Sequence, residues 1–290
     1  MPSTKRYSII FGLSIFFASA YGQDGSTSAY GDSTAVLNDT SIVVSNPEAS
    51  QQQADSGSYY RINKTYLKSF FTDLPKVAAA PFHYSPKDWQ TVGLVTATVG
   101  VTLLADREIK QVMQRNKKPW LDKSASIVEP FGNKYAPLIT GALYVTGVVT
   151  KDRKMEHASL MTAKSLAFST LFYISSKQLV RRRRPSFTDD PFEINSVFGG
   201  GREWTSFPSG HTNTVFSVAT ALALEYRHKK WVPPLAYSIA GLTAISRSYD
   251  NRHWTSDIVM GAVIGHFVTK TLYRIEEQKN RKKEPLTLKW

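Results

Sequence analysis

Six stretches without a charged residue recur between residues 89 and 269 of this 290-residue chain, and turn residues separate them. Apolar runs of this length, bounded by proline and glycine and lacking strand-like alternation, favour helices. The runs are Trp89–Ala105, Tyr135–Thr150, Ser165–Ser176, Thr212–Leu224, Trp231–Ser246 and Ile258–Thr269. They predict an all-α bundle of about six core helices, with an extra amphipathic helix near Tyr66–Lys76.

The first 57 residues differ in composition from the rest. Residues 1–22 combine a basic start, a short apolar stretch and small residues, which is typical of a cleaved signal peptide, with an uncleaved anchor helix as the alternative. Residues 23–57 are polar and carry five acidic and no basic side chains, so we expect an acidic disordered linker. The folded domain is therefore expected over residues 58–290.

Charge and cysteine content narrow the classes of function. The chain has 36 Lys and Arg against 23 Asp and Glu, a net charge of +13, which rises to +16 after residue 57. Such a charge suggests a phosphate ester, an anionic lipid or a nucleic acid as partner. The chain has no cysteine, which excludes thiol nucleophiles, cysteine zinc sites and disulfide scaffolds.

The length of the apolar runs bears on membrane insertion. They are 12 to 17 residues long, whereas a spanning helix needs about 20 apolar residues. The mean hydropathy of −0.26 is modest. In contrast, the helices predicted for Trp89–Ala105 and Tyr135–Thr150 are apolar on every face. This is typical of a helix that is surrounded by lipid or fully enclosed in a protein core. We expect a periplasmic domain that rests on or partly enters the membrane, with six full spans as the alternative.

The first chemical motif is Lys177 followed, after six residues, by Arg184-Pro185. On a continuous helix a spacing of seven puts both cations on one face. Arg binds phosphate oxygens through a planar fork and Lys as a point charge, so the pair can hold one phosphate. Taken alone, the run Arg181–Arg184 is more typical of a solvated basic patch or a nucleic-acid contact.

The second motif is Pro208-Ser209-Gly210-His211, directly before the apolar run that starts at Thr212. The N-terminus of a helix offers free N–H groups to an anion, and Gly210 lets the backbone approach it closely. His211 is then placed to exchange a proton with that anion. A serine N-cap followed by an incidental histidine explains the same tetrapeptide equally well.

The third motif is Ser246-Arg247, then His253 after five residues and Asp257 after three more. Histidine and aspartate at i and i+4 can meet on one helical face. A carboxylate on one imidazole nitrogen makes the other a better nucleophile or base. The more common outcome of this spacing is a simple surface pair.

Together the motifs contain eleven fixed identities in a fixed order. They closely resemble the three-part signature of the type 2 phosphatidic acid phosphatase (PAP2) superfamily, which includes lipid phosphatases, bacterial class A acid phosphatases and vanadium-dependent haloperoxidases. The resemblance covers about Trp89 to Arg274. It implies a PAP2-like helical bundle, with the motifs at the end of the third core helix, the start of the fourth and after the fifth, hence at one end.

The resemblance implies a role for each motif residue. His253 would be the nucleophile that forms a phosphohistidine, Asp257 would orient it, and His211 would be the general acid and then the base. The residues implied to bind phosphate are Lys177, Arg184, Ser209, Gly210 and Arg247. No metal or other cofactor is implied, since the cations neutralise the phosphate and would repel a metal, although vanadate could occupy the site.

The sequence therefore predicts a hydrolase for phosphomonoesters or diphosphates, of lipids such as phosphatidate, isoprenyl diphosphate or lipid A. One alternative is a soluble periplasmic non-specific acid phosphatase, whose activity on a water-soluble ester would be unchanged by lipid. A second is a vanadium-dependent haloperoxidase, a class that is usually much longer. The expected partners are a phosphorylated lipid or small phosphate ester and the membrane, but no nucleic acid. The expected location is the bacterial cell envelope, periplasmic and membrane-associated, with integral insertion as the alternative.

Overall fold

Eight α-helices make up most of the computed structural model, which describes residues 61–197 and 199–283. They are α1 (Lys64–Ala79), α2 (Pro86–Arg115), α3 (Pro119–Val128), α4 (Tyr135–Thr150), α5 (Arg153–Leu179), α6 (Gly210–Glu225), α7 (Val232–Tyr249) and α8 (Thr255–Lys283). The all-α prediction is confirmed: the six core helices are α2 and α4–α8, and α1 is the expected extra helix. The predicted signal peptide (1–22) and linker (23–57) lie outside the described residues.

Local sequence signals set the helix boundaries. Ser85 caps α2 in a reciprocal capping box with Asp88, and Pro86 occupies the first helical turn. Asp152 caps α5, its side chain accepting a hydrogen bond from the Met155 amide. This cap starts α5 at Arg153, well before the uncharged run that begins at Ser165. The short helix α3, which begins at Pro119, is an addition that the apolar runs did not predict.

Two apolar clusters form the core. One joins α6, α7 and α8 through Val215, Ala219, Ala240, Ala244 and Ile258, together with Phe216. The other joins α1, α5 and α8, and its buried members are Val77, Met161, Phe168, Val268, Leu272 and Ile275. These side chains are buried between α6, α8 and the helices that pack against them. Their burial holds the starts of α6 and α8 next to each other.

Two glycines let α6 and α8 pack closely. A Cβ atom added at Gly261 would lie 2.4 Å from the Ser209 carbonyl oxygen, and one added at Gly265 would lie 2.4 Å from that of Asn213. No side chain fits in such a space, so the two backbones approach each other here. This contact places Ser209, at the start of α6, against the first turns of α8.

A buried ion-pair cluster fastens α1 to the bundle. Lys164 of α5 donates to the Asp73 carboxylate and, at 2.7 Å, to the Ser69 hydroxyl, and Lys279 of α8 reaches Asp73 at 2.7 Å. Asp73 and Lys164 are almost fully buried. Burial costs these charges their hydration, and only the partner charges compensate for it.

Two short strands interrupt the helices beside α5. β1 (Arg181–Arg182) and β2 (Ile194–Asn195) pair antiparallel, with Arg181 opposite Asn195. They close a loop over residues 183–193. Because α5 ends at Leu179, the residues from Arg181 to Arg184 leave the helix and can each point to a different neighbour.

A helix that crosses a bilayer needs about 20 predominantly apolar residues. None of them within residues 61–197 and 199–283 is both long and apolar enough to cross a membrane.

The buried cluster gives a prediction of stability. Asp73→Ala leaves Lys164 buried without its carboxylate, so we expect the free energy of unfolding to fall by about 3–5 kcal/mol. The matched control is Lys76→Ala, because Lys76 is half-exposed and its Nζ lies 3.9 Å from Asp73 Oδ1. This variant should change the free energy of unfolding by less than about 1 kcal/mol. Denaturant titration measures both, and equal effects would contradict the structural role of the cluster.

Candidate active site

The three motifs meet at one end of the bundle. Lys177 lies in the last turn of α5, His211 in the first turn of α6, and Arg247 in the last turn of α7. His253 lies in the short connection from α7 to α8, and Asp257 in the first turn of α8. The predicted order of motifs along the bundle is therefore confirmed.

Lys177 and Arg184 converge by a route that differs from the predicted one. They do not share a helical face, because α5 ends at Leu179. Both instead reach Thr205: Lys177 Nζ donates to the Thr205 carbonyl at 2.7 Å, and Arg184 Nη2 donates to the Thr205 hydroxyl at 3.0 Å. The loop before α6 thus holds the two cations together.

His253 is held by a backbone carbonyl. Its Nδ1 lies 2.6 Å from the Ser206 carbonyl oxygen but 4.0 Å from Asp257 Oδ2. The predicted contact on one helical face is wrong in its geometry, because α8 begins at Thr255 and His253 precedes it. Asp257 acts one step away: Ser206 Oγ donates to Asp257 Oδ2 at 2.5 Å, and the same residue's carbonyl holds the imidazole.

This arrangement determines the state of the imidazole. A carbonyl oxygen only accepts hydrogen bonds, so Nδ1 carries the proton and Nε2 keeps its lone pair. Burial, followed by the charges of Lys177, Arg184 and Arg247, lowers the pKa of His253 well below its usual value. His253 is therefore a neutral imidazole close to three cations, and its Nε2 has the free lone pair that a nucleophile needs.

Asp257 belongs to a buried network whose centre is Arg182. Arg182 Nη1 donates to Asp257 Oδ1 at 2.6 Å and to Ser256 Oγ at 2.7 Å, and Nη2 donates to Asp106 Oδ2 at 2.8 Å. Burial raises the pKa of Asp257, and the Arg182 charge opposes that rise. Asp106 comes from α2, so the network ties the distant second helix to the site.

Each member of the arginine run has a different contact. Arg181 donates to the carbonyls of Gly199 and Gly200, both at 2.6 Å, while Arg183 pairs with Glu193 at 2.7 Å. Arg181 and Arg182 are buried. A solvated basic patch is therefore the wrong interpretation of these two residues, and of the four only Arg184 reaches Thr205 beside Lys177.

The second motif lies at the start of α6, which is the position that an anion site at a helix N-terminus requires. Ser209 is the N-cap, and its hydroxyl accepts hydrogen bonds from the amide and hydroxyl of Thr212. Both bonds use lone pairs of the oxygen and leave its proton for another acceptor. Gly210 is the first residue of α6, where the amides point away from the helix. The phosphate-binding roles of Ser209 and Gly210 stay predictions.

Glu129, which no motif contains, contacts two of the site residues. It lies in a 3-10 turn, Glu129–Gly132, and its Oε1 is 2.7 Å from His211 Nε2 and 3.6 Å from Arg247 Nη1. Burial and the Arg247 charge lower the pKa of His211, while Glu129 raises it. The carboxylate therefore favours the protonated form of His211.

Sequence reasoning missed Glu129, Asp106, Thr205 and Ser206. Glu129 lies 48 residues and Asp106 71 residues before Lys177 of the first motif, and no local spacing links them to it. Arg182 had a visible signal, the run of four arginines, but its buried partners only appear in the folded chain. Among residues 61–197 and 199–283, no three or more His, Asp or Glu side chains are grouped as a metal site would require.

Comparison with known proteins adds an independent observation. Residues 159–281 match the model of the PAP2 superfamily. A lipid A 1-phosphatase from Porphyromonas gingivalis is 42% identical over 78 residues, 27% of this chain and 18% of that protein. A probable diacylglycerol pyrophosphate phosphatase 1 from Schizosaccharomyces pombe is 32% identical over 157 residues, 42% of this chain and 56% of that protein. The chain thus spans less than two thirds of either relative.

A solved structure is also similar to this chain. The transmembrane PAP2 type phosphatidylglycerolphosphate phosphatase from Bacillus subtilis superposes with a TM-score of 0.48 and 21% identity, over 72% of this chain and 95% of that one. The matched region of the family model contains all three motifs, from Lys177 to Asp257. Residues 159–281 are therefore similar to the PAP2 superfamily, as the three motifs predict.

Proposed function

We propose that this chain is a PAP2-type phosphatase that hydrolyses lipid phosphate monoesters or diphosphates through a phosphohistidine on His253. The observation that carries the proposal is the state of His253, a neutral imidazole with a free Nε2 next to Lys177, Arg184 and Arg247. Arg247 adds a donor, since its Nε is buried and has no hydrogen-bond partner within the described residues. A phosphoryl oxygen would supply the missing acceptor.

In the first step Nε2 of His253 attacks the phosphorus, and the bond from phosphorus to the leaving oxygen breaks. His211 donates its proton to that oxygen, and Glu129 favours the protonated imidazole that this step needs. The three cations and the amides at the start of α6 stabilise the negative charge on the equatorial oxygens. No metal cofactor is required, because these groups already neutralise the phosphoryl group.

In the second step water attacks the phosphorus of the phosphohistidine. His211, now neutral, takes a proton from the water as the P–N bond breaks, and inorganic phosphate leaves. His211 is then protonated again and His253 is again neutral, so the cycle closes without another reagent. Vanadate, which forms a trigonal bipyramid like the transition state, is expected to occupy the same site and inhibit.

The lipid character of the substrate is supported by relatives and by surface composition. The relatives are named as phosphatases of lipid A and of diacylglycerol pyrophosphate. Large apolar side chains are exposed on α2 and α4, including Val101, Leu104, Leu138 and Val149. An exposed apolar surface of this kind is typical of contact with a membrane. We therefore propose a membrane-associated enzyme of the bacterial cell envelope.

Replacement of the nucleophile tests the mechanism. His253→Ala should lower phosphate release from a lipid phosphate by about 10³-fold or more, because no other group can form the covalent intermediate. The matched control is His83→Ala, at an exposed position in the turn before α2, which should keep full activity. Both variants should keep the helical circular-dichroism spectrum. Activity that survives in a folded His253→Ala would contradict the nucleophile assignment.

The pH profile tests the role of Glu129. Its negative charge raises the pKa of His211, so Glu129→Gln should lower that pKa. Protonated His211 is needed in the first step, so kcat/KM falls as pH rises through the His211 pKa. We expect this fall at lower pH in Glu129→Gln than in the parent protein. Glu277→Gln, at an exposed position in α8, is the control, and identical profiles for all three proteins would contradict the assignment.

Vesicle flotation tests the membrane association. The purified protein should float with vesicles of phosphatidylethanolamine and phosphatidylglycerol in a density gradient. Val101→Asp combined with Leu138→Asp places charge on the apolar surface, at a cost of roughly 2.5–3.5 kcal/mol per residue deep in a bilayer, and should reduce the floating fraction. A parent protein that stays at the bottom of the gradient would contradict the proposal.

A further inference from the structure

Two arginines outside the motifs, Arg202 and Arg252, have backbone carbonyls next to Arg184 and its partner Thr205. The Arg202 carbonyl accepts a hydrogen bond from the Thr205 hydroxyl at 2.6 Å, and that hydroxyl also binds Arg184. The Arg252 carbonyl accepts from Arg184 Nη1 at 3.5 Å. Both residues are exposed, whereas Arg184 is half-buried. They therefore lie on the solvent side of the phosphate-binding cations.

Only one of the arginines in this region forms ion pairs with carboxylates among the described residues. Arg247 has Glu129 and Asp250 as ion-pair partners, at 3.6 and 3.3 Å. Arg184, Arg202 and Arg252 take part in no ion pair within residues 61–197 and 199–283. Burial, and then the neighbouring charges of Arg202 and Arg252, lower the pKa of Arg184 to about 10.

The positive charges of Arg184, Arg202 and Arg252 repel one another. An anion that contacts Arg202 and Arg252, here called the outer arginines, would relieve this repulsion. One guanidinium group can bind two phosphate oxygens at once, and it remains charged at every physiological pH. One phosphoryl group at His253 is already served by Lys177, Arg184 and Arg247. Arg202 and Arg252 are therefore available to a second negative group, which must be close to the first because the backbones of both residues adjoin Arg184 or its partner Thr205.

We propose that Arg202 and Arg252 form a second phosphate subsite, and that the preferred substrate is a lipid diphosphate. This inference rests on the phosphatase function proposed above. The terminal phosphoryl group lies at His253, and the inner phosphate, which stays with the lipid, lies at Arg202 and Arg252.

The subsite has a clear chemical use. His253 Nε2 bonds to the terminal phosphorus, and the bond from that phosphorus to the bridging oxygen breaks. The leaving group is then a lipid monophosphate, whose negative charge grows in the transition state, and the two arginines stabilise it while His211 supplies a proton. Water releases the bound phosphoryl group as inorganic phosphate. A simple monoester releases an uncharged alcohol, which gains nothing from these arginines.

The test compares farnesyl diphosphate and farnesyl monophosphate in detergent, because the two substrates share one lipid. We expect Arg202→Gln with Arg252→Gln to lower kcat/KM for the diphosphate about tenfold or more, and for the monophosphate less than about threefold. The control is Arg227→Gln with Lys230→Gln, which removes equal charge from the connection between α6 and α7, away from the site. Equal losses on the two substrates would overturn the inference.

A direct measurement of anion binding distinguishes a failure of this inference from a failure of the proposed function. In calorimetry the parent protein should bind inorganic pyrophosphate more tightly than inorganic phosphate, and the double variant should lose that difference. Pyrophosphate binding that is no tighter than phosphate binding in the parent would overturn the subsite even if both lipids are hydrolysed. Absence of hydrolysis of either lipid, with pyrophosphate binding intact, would instead overturn the phosphatase function and leave the anion subsite standing.

Discussion

The buried ion pairs of Arg182 are the interaction on which the site depends. One guanidinium group binds Asp257 at the start of α8 and Asp106 in the middle of α2. Removing one charge from such a network leaves the others buried without a partner, which costs about 3–5 kcal/mol. Asp257 in turn holds Ser206, whose carbonyl holds His253. The His253 imidazole is therefore oriented by a chain of contacts that begins at Arg182, and not by a direct contact with a carboxylate.

Burial and neighbouring cations lower the pKa of both histidines, that of His253 well below its usual value, while Glu129 opposes the shift at His211. His253 is buried and faces three cations, so it is neutral, and its free nitrogen can attack an electrophile. His211 is partly exposed and contacts the Glu129 carboxylate, which opposes the effect of burial and of Arg247. The two histidines thus have different electrostatic surroundings, which suit the roles proposed for them, nucleophile for His253 and proton donor for His211. The difference comes from neighbours that lie far away in the sequence.

Much of the fold could be predicted because its determinants are local. Helix positions follow from apolar runs, and their starts follow from caps such as Ser85 and Asp152. The motifs lie at the ends of helices, so an up-and-down bundle brings them to one end. The prediction was wrong where a helix boundary decided the geometry. α5 ends before Arg184 and α8 begins after His253, so neither pair shares a helical face. Such boundaries depend on tertiary contacts as well as on propensity.

The sequence by itself determined the helical class, the PAP2 signature and the eight motif residues assigned to the site, since these depend on composition and on short spacings. Only the tertiary structure decided which atoms hold those residues. Thr205 gathers Lys177 and Arg184, Ser206 holds His253, and Glu129 pairs with His211. The physical reason is that a buried polar group takes whichever partner the packing of distant helices brings within hydrogen-bond distance. That packing depends on contacts across the whole bundle, including the approach of α6 to α8 at Gly261, and no local spacing encodes them.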